Sequence, residues 1–451
     1  MPKLTLGKEC RKTPDFLFPL GVQNSTLYFA LRVHLHPLPS CPLQVNAVPK
    51  RDHLQDYPHL EFRRCWKLTT QTAMNLGKCV AYIEALSNLP IPPEAQQSLR
   101  LVAFQRGAQA TTRIEGNTLT DDEFQQILDG KQLPKSREYQ AKEVTNALNA
   151  MNAIWDSVVG QSKLELITPK LLCRWNKMIG EELGPLYDGV PGRLRNDRRH
   201  VGRYLAPPPE LIEDLLKQFC EWLKREFRFS DGEQPTDQAI VQAVVAHVFF
   251  EWIHPFADGN GRTGRLLEFY TLLRAGLPDV TVHVLANHYN KSRPEYASHF
   301  DNARKKRDLT EFLDYAIQGL CDGLQATLNV VQAESCAIAW ESHVYRVFGG
   351  YSDYSKKSVF KRRRNLALAM PVGKDFSAIE LVRGSDSLTK EYMGHDQRML
   401  RNDVKLLMKL KLMVEADRDE TRKQAAEEKL YKANIGPMLA KHLAGRAMRD
   451  C

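Results

Sequence analysis

Twelve consecutive residues, His254 to Arg265, read HPFADGNGRTGR and crowd an imidazole, a carboxylate, three glycines, an asparagine and two arginines into one segment. Each of these types has a use against a polyphosphate. Gly259, Gly261 and Gly264 let the backbone come close to a ligand, and successive exposed N–H groups in such a turn form a nest for anions. Arg262 and Arg265 can fork onto phosphate oxygens. Asp258 is a hard oxygen ligand, and one carboxylate plus phosphates is a usual way to hold Mg²⁺. His254 is neutral near pH 7 and suited to take a proton from an attacking hydroxyl. A standard P-loop is excluded, because its glycine-rich turn ending in Gly-Lys-Ser/Thr occurs nowhere in the chain.

These residues need elements to position them. Upstream, TDQAIVQAVVAHVFFEWI predicts a helix with Thr236 as N-cap and Ala239, Ala243, Ala246 and Phe250 on an apolar face. Downstream, RLLEFYTLLRAG predicts a second helix, with Leu266, Phe269, Tyr270 and Leu273 at helical spacing. The loop therefore joins two helices, and the second points the positive end of its dipole at the glycine turn. Phe256 reads as the apolar anchor that pins the loop.

The segment resembles the signature of Fic-domain proteins, HxFx(D/E)GNGRxxR, at every defined position. The resemblance implies a mainly α-helical core with a β-hairpin flap and transfer of AMP from ATP to a Ser, Thr or Tyr hydroxyl of a target protein, with release of pyrophosphate. It makes His254 the general base and Asp258 the Mg²⁺ ligand. It places Asn260 with the backbone at Gly259 and Gly261 in the anion hole, and makes Arg262 and Arg265 the clamps on the outer phosphates. TTRIEG at 111–116 is similar to the family's inhibitory motif, (S/T)xxxE(G/N), with Thr111, Glu115 and Gly116 at the defined positions. It implies that Glu115 pairs with Arg265 and keeps that arginine from the γ-phosphate. PGRLRNDRRHVGRYLAPPPE, 191–210, is similar to the flap, so a target hydroxyl is expected to dock near 195–206 by strand addition. Asn287 and Tyr296 are candidate adenine contacts.

The resemblance covers roughly half of the chain, from about 100 to 325. Around it, helices are expected over 64–86, 93–114, 136–159, 168–183 and 211–227, with Thr120 and Glu123 at capping-box spacing. The expected division is 1–60, of unassigned role; 61–135, helical and carrying the inhibitory motif; 136–330, the catalytic core; 331–374, a helical linker with a basic run; and 375–451. This last segment is similar to a winged helix-turn-helix domain, with Leu400, Val404, Leu407 and Met408 as a buried stripe and strands near 412–414 and 429–431. Its third helix would present Gln397, Arg398, Arg401 and Lys405 to DNA, although Asp396 and Asp403 interrupt the basic pattern.

Composition sets outer bounds. The 451 residues allow two or three domains, and the formal charge of +9 permits nucleic-acid binding without requiring it. Nine scattered cysteines without a CxxC pair read as reduced thiols, hence an expected cytoplasmic protein. No apolar run is long enough for a transmembrane helix, and no secretory leader is expected after Lys3 and Lys8. His34 and His36 lack further metal ligands nearby. The expectation is an autoinhibited, Mg²⁺-dependent adenylyltransferase acting on other proteins or on itself, with a homodimer as a candidate assembly. The alternatives are removal of AMP, with Glu115 positioning a water, and a nucleotide-sensing DNA-binding regulator.

Overall fold

A computed structural model describes residues 52–89, 91–161, 164–228, 235–281, 283–350, 357–416 and 429–436. Residues 1–51, with His34 and His36, and residues 417–428 lie outside the described residues. The chain divides into Met1–Lys50 and Arg51–Cys451, and all the described elements belong to the second unit.

Helices dominate. In chain order they are α1 (Asp52–Asp56), α2 (Thr70–Ser87), α3 (Pro93–Ile114), α4 (Asp121–Leu128), α5 (Glu138–Trp155), α6 (Pro169–Gly180), α7 (Pro209–Glu226), α8 (Thr236–Ile253), α9 (Asn260–Arg274), α10 (Val284–Lys291), α11 (Arg293–Lys306) and α12 (Thr310–Gly349). Then come α13 (Lys357–Leu368), α14 (Ala378–Arg383), α15 (Asp386–Tyr392) and α16 (Gln397–Lys409). Two small antiparallel sheets complete the fold. The first is a hairpin of β1 (His200–Val201) and β2 (Tyr204–Leu205). The second has β3 (Phe376–Ser377), β4 (Met413–Glu415) and β5 (Leu430–Ala433) in the order β3–β5–β4.

Local rules account for many boundaries. Thr168 caps α6, its side chain accepting from Leu171 N–H at 3.3 Å, with Pro169 in the first turn. Thr120 and Glu123 form a reciprocal capping box at α4. α3 stops at Ile114, and Gly116, at φ +98°, turns the chain where a side chain would be strained. Two expectations are corrected. Pro235, not Thr236, is the N-cap of α8, and Thr236 is its first helical residue. The 64–86 helix begins only at Thr70, where the Thr69 side chain accepts from Thr72 N–H.

α8 also differs in kind from the expected one-faced helix. It is buried on nearly all sides, with only four of its residues outside the core, because α2, α7, α9 and α12 surround it. Phe249 and Phe250 are fully buried there, and Phe256 packs 6.2 Å from Phe250, as its anchoring role requires. The buried core formed by α2 to α12 is therefore what fixes the start of the 254–265 loop.

α12 runs continuously for 40 residues, from that core into a second one. Its Trp340, Val344 and Phe348 pack with Leu366, Phe376, Leu388, Val404, Leu407, Leu412 and Met413. The described part of the basic run, 357–365, is partly inside this second body. Arg362 and Arg363 each donate to Asp403 at 2.8 Å, and Tyr392 adds a third bond to the same carboxylate. Asp403 is thus buried under cations, and it does not interrupt the exposed face of α16. Among the described residues no helix is long and apolar enough to cross a membrane, and all the cysteines are free.

Candidate active site

α8 ends at His254, which adopts a left-handed φ of +49°, unusual for a side chain with a Cβ. This turn swings the imidazole off the helix and into a cavity of about 730 Å³. Arg195 holds the turn from outside. It is buried and donates from Nε to His254 O at 2.7 Å, with further bonds to the carbonyls of Asp197 and Pro207. Burial, followed by the charge of Arg195, pushes the His254 pKa down to about 4, so the imidazole is neutral at pH 7.

The loop continues through Phe256, whose N–H donates to Asn260 Oδ1 at 2.9 Å and whose carbonyl accepts from Asn260 Nδ2 at 2.8 Å. The Asn260 side chain is therefore spent on closing the loop. What it offers an anion is its backbone N–H, in the first turn of α9 with Gly261 and Arg262. Gly259, at φ +76°, makes the turn into that helix. Asn176 and Tyr187 hold the loop from below, donating to Asp258 O at 3.0 and 2.8 Å.

Asp258 lines the cavity with its carboxylate. Its Oδ1 accepts from Gly259 N–H and Arg262, while Oδ2 keeps only a long contact of 3.4 Å from Asp188 N–H. Arg262 is buried between two carboxylates, at 2.6 Å from Glu143 and 2.8 Å from Asp258. It therefore meets a ligand already neutralised. Glu143 in turn accepts from Asn117, in the turn after α3.

Arg265 is almost entirely engaged by α3. Its Nε donates to Thr111 Oγ1 at 2.7 Å, and its Nη2 donates to Thr111 O at 3.0 Å and to Glu115 Oε1 at 2.5 Å. Burial alone would raise the Glu115 carboxyl, but the Arg265 guanidinium outweighs it and holds the pKa below the usual range. The Glu115 carboxylate also lies against the N-terminus of α9, where a Cβ at Gly261 would collide with it. Arg293 Nη2 donates to Ile114 O at 2.6 Å and ties the end of α3 to α11. Thr111, Glu115 and the 254–265 loop, far apart in sequence, thus meet at one place.

The remaining candidates divide. Tyr296 lines the cavity and is bonded to His247 Nε2 at 2.6 Å, whereas Asn287 is half-buried on α10 and does not line it. The flap is present as the β1–β2 hairpin, turned at Gly202–Arg203, with Val201 to Tyr204 on the cavity wall. An antiparallel bridge between Leu194 and Phe256 ties its base to the loop. Arg398, Arg401 and Lys405 are exposed on α16, away from the cavity.

Glu143, Arg195 and Asn176 were not legible in the sequence, because each acts through a tertiary partner. Glu251 was: it sits three residues before His254, a carboxylate on an apolar helix, and so on the same face. Its Oε2 lies 3.8 Å from His254 Nδ1, its Oε1 has no hydrogen-bond partner, and burial pushes its pKa up to about 8.

Parts of the chain are similar to known proteins. Residues 166–272 match the sequence model of the Fic/DOC family, and that span contains α6, the flap, α8, the loop and most of α9. Over that span the chain is similar to the Fic/DOC family. Protein adenylyltransferase fic-1 of Caenorhabditis elegans is 29% identical over 227 residues, 50% of this chain and 41% of the relative. Protein adenylyltransferase Fic of Drosophila willistoni is 29% identical over 246 residues, 52% of this chain and 44% of the relative. The chain thus spans less than half the length of these two curated relatives. Among solved structures, a Fic family protein from Desulfovibrio desulfuricans G20 aligns with 82% of this chain and 98% of its own, at TM-score 0.49 and 20% identity. A fragment of Fic-1 from C. elegans aligns with 58% of this chain and 73% of its own, at TM-score 0.49 and 22% identity.

The buried imidazoles of α8 and its C-cap make stability depend on pH. Burial, with Arg265 and Arg195 respectively, lowers His247 to about 3 and His254 to about 4. The unfolded chain binds these protons near pH 6.5. Their contribution is therefore complete above that pH and is lost as the pH falls towards 4. The thermal midpoint should drop steadily between pH 7 and pH 5, and less steeply in His247→Gln. Equal slopes for wild type and His247→Gln across that window would contradict neutral burial of His247.

Proposed function

We propose that this protein transfers AMP from ATP to a Ser, Thr or Tyr hydroxyl of a target protein, and that the end of α3 holds it inactive. One observation carries the proposal: Glu115 is seated on Arg265 at 2.5 Å, over the N-terminus of α9, in the same cavity as His254 and Asp258. A carboxylate there occupies an anion site. The adenylyltransferase names of the relatives support AMP transfer as the reaction.

In the proposed reaction the α-phosphate lies over the N–H groups at the start of α9, and the outer phosphates reach Arg265 once Glu115 has withdrawn. The target hydroxyl enters along the flap. Its proton passes to the His254 imidazole, its oxygen bonds to the α-phosphorus, and the bond from that phosphorus to the bridging oxygen breaks. Pyrophosphate leaves. The neutral imidazole starts as a weak base, and the negative charge of a bound nucleotide raises its proton affinity. Placement and charge stabilisation supply most of the rate.

Asp258 fits a role in Mg²⁺ binding. Its Oδ2 is nearly free, and one carboxylate with phosphate oxygens and waters satisfies the ion. Among the described residues no group of three or more His, Cys, Asp or Glu could hold a metal alone, so the nucleotide must supply ligands. Bound there, the ion would neutralise charge on the departing pyrophosphate.

Glu115 also favours a second reading, since an ionised carboxylate in the same cavity as His254 could orient a water and remove AMP from a modified target. A third concerns the C-terminal body. We infer a winged helix-turn-helix from α13–α16 and the β3–β5–β4 sheet, and its inward-turned Asp403 leaves Gln397, Arg398, Arg401 and Lys405 free to meet DNA.

Incubation with α-³²P-ATP tests the first reading. Glu115→Gly should label itself or an added target about tenfold faster than wild type, and His254→Ala in that background should label about a hundredfold slower while melting normally. Equal labelling with and without His254 would remove the base assignment. Faster AMP release from a labelled target by wild type than by Glu115→Gly would instead support the second reading. For the third, a salt-sensitive gel shift by the full chain should weaken about tenfold in Arg398→Ala/Arg401→Ala, and an unchanged shift would exclude α16 as the reader.

A further inference from the structure

A second groove of about 870 Å³ runs beside the flap, on the far side of Tyr204 from the active-site cavity. The two share Arg203, Tyr204 and Arg304 in their walls. Tyr204 is a fixed post between them. Its hydroxyl donates to Trp252 O at 2.7 Å and lies 3.0 Å from His59 Nε2, and Arg304 covers its ring at 4.8 Å. The two cavities therefore adjoin at the flap.

The charge of the groove is one-sided. Arg198, Arg203, Arg304, Lys305 and Arg307 line it, and among the described residues Asp56 is the only acidic one in its wall. Arg304 and Lys305 share a single partner, Asp301, at 2.7 and 2.5 Å. Arg198, Arg203 and Arg307 are exposed, and none of the three forms an ion pair among the described residues. Arg307 is fixed by its backbone, at φ +53° as the C-cap of α11. Cations held close together with so few counter-charges repel one another, and an anionic ligand relieves that repulsion.

We propose that this groove binds an acidic stretch of the target polypeptide, next in sequence to the residue whose hydroxyl enters the active-site cavity. The inference rests on the transferase reading and names the class of target. Five basic side chains line the groove, more positive charge than one phosphate neutralises, which suits successive carboxylates. Leu205, Pro208 and Leu211 supply an apolar strip between them for the intervening side chains. Nucleic acid fits less well. Tyr57 and His59 are buried and Tyr204 lies beneath Arg304, so these rings offer no open face on which bases could stack.

The test uses the full chain and two fluorescent peptides, each with Ser, Thr and Tyr beside a run of Glu in one and of Gln in the other. Without ATP, the Glu peptide should bind at low salt about tenfold more tightly than the Gln peptide, and Arg198→Glu/Arg307→Glu should remove that preference. In the Glu115→Gly background the same preference should appear in kcat/KM for AMP transfer and disappear in Arg198→Glu/Arg307→Glu. Equal binding of both peptides, or a preference that survives charge reversal, overturns the proposal. So does displacement of the Glu peptide by a single-stranded DNA oligonucleotide that binds the groove more tightly. Selective binding without any AMP transfer to either peptide would support the groove's preference and count against the transferase reading itself.

Discussion

One guanidinium organises this molecule. Arg265 belongs to the 254–265 loop by sequence and to α3 by contact, with Thr111 and Glu115 accepting its hydrogen bonds. The arginine is buried, so its charge requires an anion at short range whatever the state of the protein. The structure meets that need with Glu115. A polyphosphate could meet it equally well, and both cannot occupy the site together. In the proposed reading, this competition for one buried cation turns a phosphate cradle into a switch.

The surrounding contacts keep the competition sharp. Arg293 fixes the carbonyl end of α3, and Asn117, just beyond it, reaches Glu143, which neutralises Arg262. Arg262 then bonds Asp258, whose carbonyl is held by Asn176 and Tyr187. The inhibitory turn is thus coupled through a continuous chain of hydrogen bonds to the carboxylate proposed for Mg²⁺. On the other side, Arg195 joins the base of the flap to the carbonyl of His254. Movement of α3 and seating of a target on the flap therefore act on the same small group of residues from opposite directions.

The catalytic loop was legible because its chemistry is contiguous: glycines, Asp258, both arginines and His254 occur in one string, and local rules predict the helices that frame it. The end of α3 was legible for the same reason, with Gly116 making the turn that presents Glu115. What the sequence hid was partnership across the fold. Glu143, Asn176 and Arg195 carry no local pattern, since their roles exist only after α5, α6 and the flap pack on the loop. Periodicity also misjudged α8, whose alanines suggested one buried face. Small residues allow close helix approach on every side, and the helix is central rather than peripheral. The aspartate that seemed to break the basic face of α16 turned inward because two arginines of α13 await it.

The switch depends on Arg265 exchanging Glu115 for the outer phosphates. Calorimetric titration of wild type and Glu115→Gly with a non-transferable ATP analogue and with AMP tests this most directly. The exchange predicts that removing Glu115 tightens binding of the triphosphate by about tenfold, near 1.4 kcal/mol, and tightens AMP by less, because AMP does not reach Arg265. An equal gain for both nucleotides, or no gain for either, would contradict it.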